Sequence, residues 1–171
     1  MNTQLAISII VPFYNAETYI QDCLDALHDQ DFTLSFEVIM IDDASTDKSQ
    51  NIIKAYNYPG IQLYSLPKNS GPGAARNFGL KKARGEYIFL LDVDDTIEPD
   101  TLTLLYNVAK KTSCDLVFPD FKQIENSLNL RDNFFNYSED KIFNLNEIKE
   151  GMKQQIHFNS FGAHGLFGIN G

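Results

Sequence analysis

Short apolar runs rich in β-branched residues, each followed by apolar residues at helical spacing, alternate along residues 7–118, and nothing else in the chain constrains its fold as strongly. Residues 7–11 read as a strand, and Ile20, Cys23, Leu24 and Leu27 then mark one face of a helix. Residues 38–41 form the next run, followed by Ile52, Ile53 and Tyr56 on one helical face. Residues 61–64 precede a helix expected over 73–83. Residues 87–91 precede a helix carrying Leu102, Leu105, Val108 and Ala109, which Asp100 is placed to cap. Residues 116–118 close the series. Strands this continuously apolar are covered on both faces, so the expected class is α/β, three layers with a mostly parallel sheet in the middle.

Beyond Pro119 the pattern loosens. Residues 121–124 read as a strand, 126–138 are polar, and 145–156 are spaced as a helix. The glycine- and aromatic-rich stretch 161–168 then stops abruptly, which gives the expectation that the C-terminal part of the domain is cut short. With 171 residues, 43% of them hydrophobic, one core is within reach without disulfide or metal staples, so a single domain over 1–171 is expected. Its core would span about residues 5–120 and a second region 121–171.

A net charge of -9 repels a phosphate backbone, and the basic residues form no stripe interleaved with aromatics, which argues against nucleic acid as a partner. Cys23 and Cys114 have neither metal-ligand spacing nor a disulfide framework and read as buried thiols. No signal peptide is visible, and no apolar stretch approaches the ~18 residues of a membrane span, so a cytoplasmic location is expected, with peripheral contact to the inner membrane face.

In open parallel sheets, ligands bind beyond the carboxyl ends of the strands where strand order reverses. The segments in those places are Pro12-Phe13-Tyr14-Asn15, Asp42-Asp43-Ala44-Ser45 and Asp92-Val93-Asp94-Asp95. Carboxylates gathered at one edge repel one another unless a cation or hydrogen bonds compensate. Oxygen ligands without candidate histidines favour Mg2+ or Mn2+ with a diphosphate as co-ligand. The plainer alternative is that Asp43 or Ser45 merely caps the following helix; two acidic clusters at equivalent positions tip the balance to a site. A third segment, 69–79, opens a helix with glycines and carries Arg76 one turn in, suited to pairing with phosphate, while Gly79 would allow close approach to the sheet. His28, His157 and His164 are scattered and suggest no site.

The segments 7–15, 41–47, 69–79 and 85–95, in this order, resemble the family 2 inverting glycosyltransferases of GT-A fold, whose sheet is Rossmann-like. The resemblance implies a nucleoside-diphosphate sugar donor, usually a uridine one, with Tyr14 stacked on the base and Asp43 accepting a hydrogen bond from uracil. Asp92 would face the ribose, Arg76 would sit near the nucleotide, and Pro12, Asn15 and Glu17 would complete the donor side. Asp94 and Asp95 would meet Mg2+ or Mn2+. It further implies transfer with inversion to a saccharide or lipid-linked saccharide acceptor in cell-surface polysaccharide synthesis.

Such a reaction needs a general base for the acceptor hydroxyl. Asp120, Glu125, Asp132, Glu139, Asp140, Glu147 and Glu150 fall in no matching motif, so the base is expected beyond Gly171. A donor-binding module without turnover is the alternative this leaves. The run Asp92-Val93-Asp94-Asp95-Thr96 also matches the signature of haloacid-dehalogenase-like phosphatases, but that signature normally lies on a domain's first strand, and here three strand-helix units precede it.

Overall fold

The computed structural model describes residues 5–56, 58–114, 116–117, 123–125, 128–131 and 165–168. The chain divides into two compact units, Met1–Phe118 with Ala163–Gly171, and Pro119–Gly162.

In the first unit β1 (Ile7–Phe13), β2 (Phe36–Asp42), β3 (Ile61–Ser65) and β4 (Tyr87–Leu90) pair in parallel in the order β3-β2-β1-β4. The helices α1 (Ile20–His28), α2 (Ser49–Ala55), α3 (Pro72–Leu80) and α4 (Thr101–Thr112) follow these strands one by one. All seven residues of β1 are buried, as its lack of polar alternation requires. Ile7, Ile9, Val11 and Phe13 face a core closed by Leu24 and Leu27 of α1, Ile53 of α2 and Leu102 and Leu105 of α4. Ile10, Ile39, Ile41 and Ile88 point the other way, against Ala75 and Phe78 of α3. The result is the expected three-layer α/β/α fold.

Close packing of α3 depends on Gly79, where an added Cβ would stand 2.5 Å from Ile10 Cγ2. Asp100 occupies the N-cap position of α4 but its side chain makes no capping bond. Gln30 supplies that role from a distant loop, its Oε1 accepting from Leu102 N at 3.2 Å while its Nε2 donates to the carbonyls of Ala26 and Glu98.

Two short strands complete the sheet. β5 (Leu116–Val117) forms the far edge, and β8 (Gly165–Gly168) inserts antiparallel between β4 and β5. Residues 165–168 thus contribute an interior strand, which four residues bounded by glycine do not announce. The second unit contains the antiparallel pair β6 (Gln123–Glu125) and β7 (Leu128–Arg131). The helix expected over 145–156 lies outside the described residues, as do His157, His164 and the acidic residues from Asp132 to Glu150.

Candidate functional site

With β1 central and the chain crossing to β2 on one side and β4 on the other, strand order reverses between β1 and β4. A cavity of about 310 Å³ opens there, lined by Pro12, Phe13, Tyr14, Asp43, Asn69, Gly71, Pro72, Arg76, Asp92, Val93 and Asp94. Residues more than 80 positions apart meet because each stands at or just past a strand end, or at the entry and first turns of α3.

Asp43 is 3% exposed and caps no helix. Its Oδ1 accepts from Ser70 N at 2.8 Å and its Oδ2 from Gly71 N at 2.7 Å. Gly71 precedes Pro72 at the N-cap of α3 with φ 85°, a conformation suited to glycine. The carboxylate at the end of β2 therefore fixes the entry to α3, and through α3 the place of Arg76. The guanidinium Nη2 of Arg76 bonds Asp92 Oδ1, while its Nε is buried without a hydrogen-bond partner. A buried donor without a partner is costly, and here it belongs to a residue that lines the cavity.

Asp94 and Asp95 are exposed on the turn after β4, which closes with Asp95 N donating to Asp92 O at 3.1 Å. Asp94 lines the cavity; Asp95 is not among its lining residues. The charge of this turn reaches inward: burial, then Asp95 and Asp94, push the Cys23 thiol up to about 12. Among the described residues no three His, Cys, Asp or Glu side chains converge as a ready metal cage. An exposed carboxylate pair beside a cavity still suits Mg2+ or Mn2+ in its usual form, held by one or two carboxylates plus substrate phosphates and water. Cys23 is a buried free thiol as expected, whereas Cys114 is only half-buried.

Asn15 and Glu17 do not line the cavity. They bind the neighbouring loop: Asn15 N donates to Ser45 Oγ at 2.9 Å, Asn15 Oδ1 accepts from Thr46 N at 2.8 Å, and Glu17 Oε2 accepts from Lys48 N at 3.0 Å. Ser45, the other proposed cap, is engaged in the same way. Ser8, Glu37, Gln62 and Arg84 form a further polar cluster at the opposite edge of the sheet, which sequence reasoning missed. Its signal was present, because Ser8 and Glu37 are the polar interruptions of two apolar runs and stand in register.

Residues 8–168 match the family described as Glycosyl transferase family 2. The chain belongs to this family. The family assignment removes the phosphatase alternative, whose nucleophile would be Asp92. A poly(ribitol-phosphate) beta-glucosyltransferase of Bacillus spizizenii is 40% identical over 124 residues, 70% of this chain and 20% of the relative. Among solved structures, TarS 1-349 of Staphylococcus aureus is similar with a TM-score of 0.78 at 29% identity, covering 96% of this chain and 47% of that one. Its complex with UDP gives a TM-score of 0.70 at 34% identity, with 78% and 40% covered. A mannosyltransferase of Pyrobaculum calidifontis in complex with GDP-Man and Mn2+ has a TM-score of 0.63 at 28% identity, with 68% and 35% covered. The chain spans less than half the length of each of these relatives. No helix among the described residues is long and apolar enough to cross a membrane.

Proposed function

We propose that the cavity at the carboxyl edge binds a nucleoside-diphosphate sugar, a uridine one, and that the protein transfers its sugar with inversion to a hydroxyl of a saccharide or lipid-linked saccharide acceptor during cell-surface polymer synthesis. In this reading residues 1–171 form one domain, with the donor side over about 5–120. The observation that carries it is the meeting of Tyr14, Asp43, Arg76, Asp92 and Asp94 around one cavity at the reversal of strand order. A UDP complex of a similar protein supports the choice of nucleotide.

Tyr14, 48% exposed beside the cavity, offers its ring to the base. Asp43 has both oxygens occupied once, and each retains a lone pair for the imide N–H of uracil. Arg76, which lines the cavity, offers its guanidinium to an oxygen of the nucleotide, and its pairing with Asp92 holds the guanidinium in place. Asp94, with Asp95 beside it, would hold Mg2+ or Mn2+. A metal there supplies charge neutralisation for the departing nucleoside diphosphate. Among the described residues no carboxylate after Asp94 lines the cavity, and no general base is assigned within them.

A thermal-shift panel of UDP, GDP, CDP, dTDP and their sugars tests the reading. UDP and UDP-sugars are expected to raise the melting temperature most. A purine diphosphate stabilising more strongly would replace the uridine assignment, and no response to any nucleotide would remove the donor site.

A further inference from the structure

The two residues proposed to hold the base, Tyr14 and Asp43, each stand immediately before a residue in the left-handed conformation, Asn15 with φ 48° and Ala44 with φ 65°. Alanine adopts that region rarely, so the loop after β2 keeps its shape because something outside it fixes the backbone. The loop after β1 provides the fixing bonds. Phe13 O accepts from Asp43 N at 2.8 Å, so the segments remain paired one residue past the register Phe13 to Asp42. Beyond that point Asn15 N donates to Ser45 Oγ, Ala16 N to Ser49 Oγ at 2.9 Å, and Glu17 N to Asp47 Oδ2 at 3.0 Å. The reverse direction is also occupied, since Asn15 Oδ1 accepts from Thr46 N and Glu17 Oε2 from Lys48 N. Donors and acceptors alternate in sense between the loops, which resists both separation and sliding.

We infer that Asn15, Glu17 and Asp47 are positioning residues: their clasp sets the spacing between the Tyr14 ring and the Asp43 carboxylate, and thereby the selectivity for the base of the donor. The inference rests on the uridine-donor reading above. The Tyr14 ring is half exposed, so its direction follows the backbone on either side of it, and a slot between an aromatic face and a carboxylate loses its match when either wall moves by a fraction of an ångström. Asn15 and Glu17 are not among the residues that line the cavity; they act through Tyr14.

The test uses Asn15→Gly, which tolerates φ 48° and removes the side chain with its acceptor, beside Asn15→Asp, which keeps an acceptor facing Thr46 N–H. Binding of UDP and GDP to each is measured by calorimetry, and melting temperature confirms folding. Asn15→Gly is expected to weaken UDP about tenfold, the size of one lost hydrogen bond, and to narrow the preference for UDP over GDP by a similar factor. Asn15→Asp is expected to restore most of both. In a Tyr14→Ala background Asn15→Gly is expected to add little, because the wall it positions is gone. Glu17→Ala serves in its place should Asn15→Gly fail to fold. Unchanged UDP affinity and selectivity in a folded Asn15→Gly or Glu17→Ala overturns the inference alone. Equal losses for UDP and GDP that add to those of Tyr14→Ala also overturn it, in favour of general loop stability. A wild-type chain with no preference for UDP overturns the donor reading and the inference with it.

Discussion

At the amino edge of the sheet Glu37 is 2% exposed and enclosed by donors: Ser8 Oγ at 2.7 Å, Gln62 Nε2 at 2.6 Å, and Arg84 through N, Nε and Nη2. Ser8 Oγ accepts in turn from Arg84 N and Gly85 N, so this cluster ties together β1, β2, β3 and the entry to β4. At the carboxyl edge of the same strands Asp43, Arg76, Asp92 and Asp94 surround a cavity, and Arg76 Nε has no acceptor. Both edges hold a buried carboxylate, Glu37 at one and Asp43 at the other, and an arginine. Their difference lies in what remains unsatisfied: every named polar group of the amino edge is bonded, which makes it a lock, whereas the carboxyl edge borders a cavity and leaves one arginine donor without a partner, as the donor site proposed above requires. Burial and charge alone would not separate them.

The contrast breaks most visibly through stability. Glu37→Ala is expected to cost about 2–4 kcal/mol of unfolding free energy, below the cost of stripping a fully buried ion pair because Arg84 is largely exposed and regains water. UDP affinity measured well below the melting temperature should stay within twofold. Denaturant titration and calorimetry on the same variant check both halves, and a loss of UDP binding in folded protein would show that the edges are not independent.

The mirror experiment is Asp43→Ala. It is expected to weaken UDP by about 1.5–3 kcal/mol, the worth of a hydrogen bond to a charged group. GDP should also weaken, though less, because the same carboxylate holds Ser70 and Gly71 at the entry to α3, where Arg76 sits. Stability should fall less than for Glu37→Ala, since the freed amides lie in a surface loop open to water. Identical losses for both nucleotides would assign Asp43 to the loop alone.

The acid response is the smallest of these effects. Burial pushes the Glu37 carboxyl up, but the bonds from Arg84, Ser8 and Gln62 outweigh it and hold its pKa below the ordinary 4.5. A carboxyl depressed in the folded state stabilises the protein above its unfolded pKa, and that contribution is lost as pH falls through the folded value. Stability should therefore decline below pH 4.5, and Glu37→Gln should flatten the decline. An unchanged acid slope in Glu37→Gln would place the sensitive groups elsewhere, Asp47 being the next candidate, where burial is likewise outweighed by the hydroxyl and amide of Ser49.

Strands β1, β2 and β4 were legible because each is a largely buried run that no surface segment would carry, β3 because Ile61 and Leu63 keep an apolar run even in a half-buried edge strand, and helices α1 and α4 because Cys23, Leu24 and Leu27, then Leu102, Leu105 and Ala109, repeat at helical spacing. β8 was not legible, since Gly165–Gly168 owes its place to partners on both sides rather than to its own pattern. At the site, strand ends told where Tyr14, Asp43, Asp92 and Asp94 would gather. The bonds of Asn15 and Glu17 to residues 45–48 were not legible, because a loop residue's partner is set by the neighbouring loop. The amino-edge lock went unread for a similar reason. Ser8 and Glu37 gain meaning only once β1 and β2 are in register.

In the function proposed above, the carboxyl edge is an open site for a uridine diphosphate and its metal. Titrating UDP into the 171-residue chain with Mn2+, and again after chelation, tests it most directly, with Asp94→Ala run in parallel. UDP is expected to bind in both conditions and more tightly with the metal, and Asp94→Ala should remove most of that metal dependence while melting as the unsubstituted chain does. UDP that fails to bind, or that binds equally well to chains carrying Tyr14→Ala, Asp43→Ala and Asp94→Ala, would contradict the account.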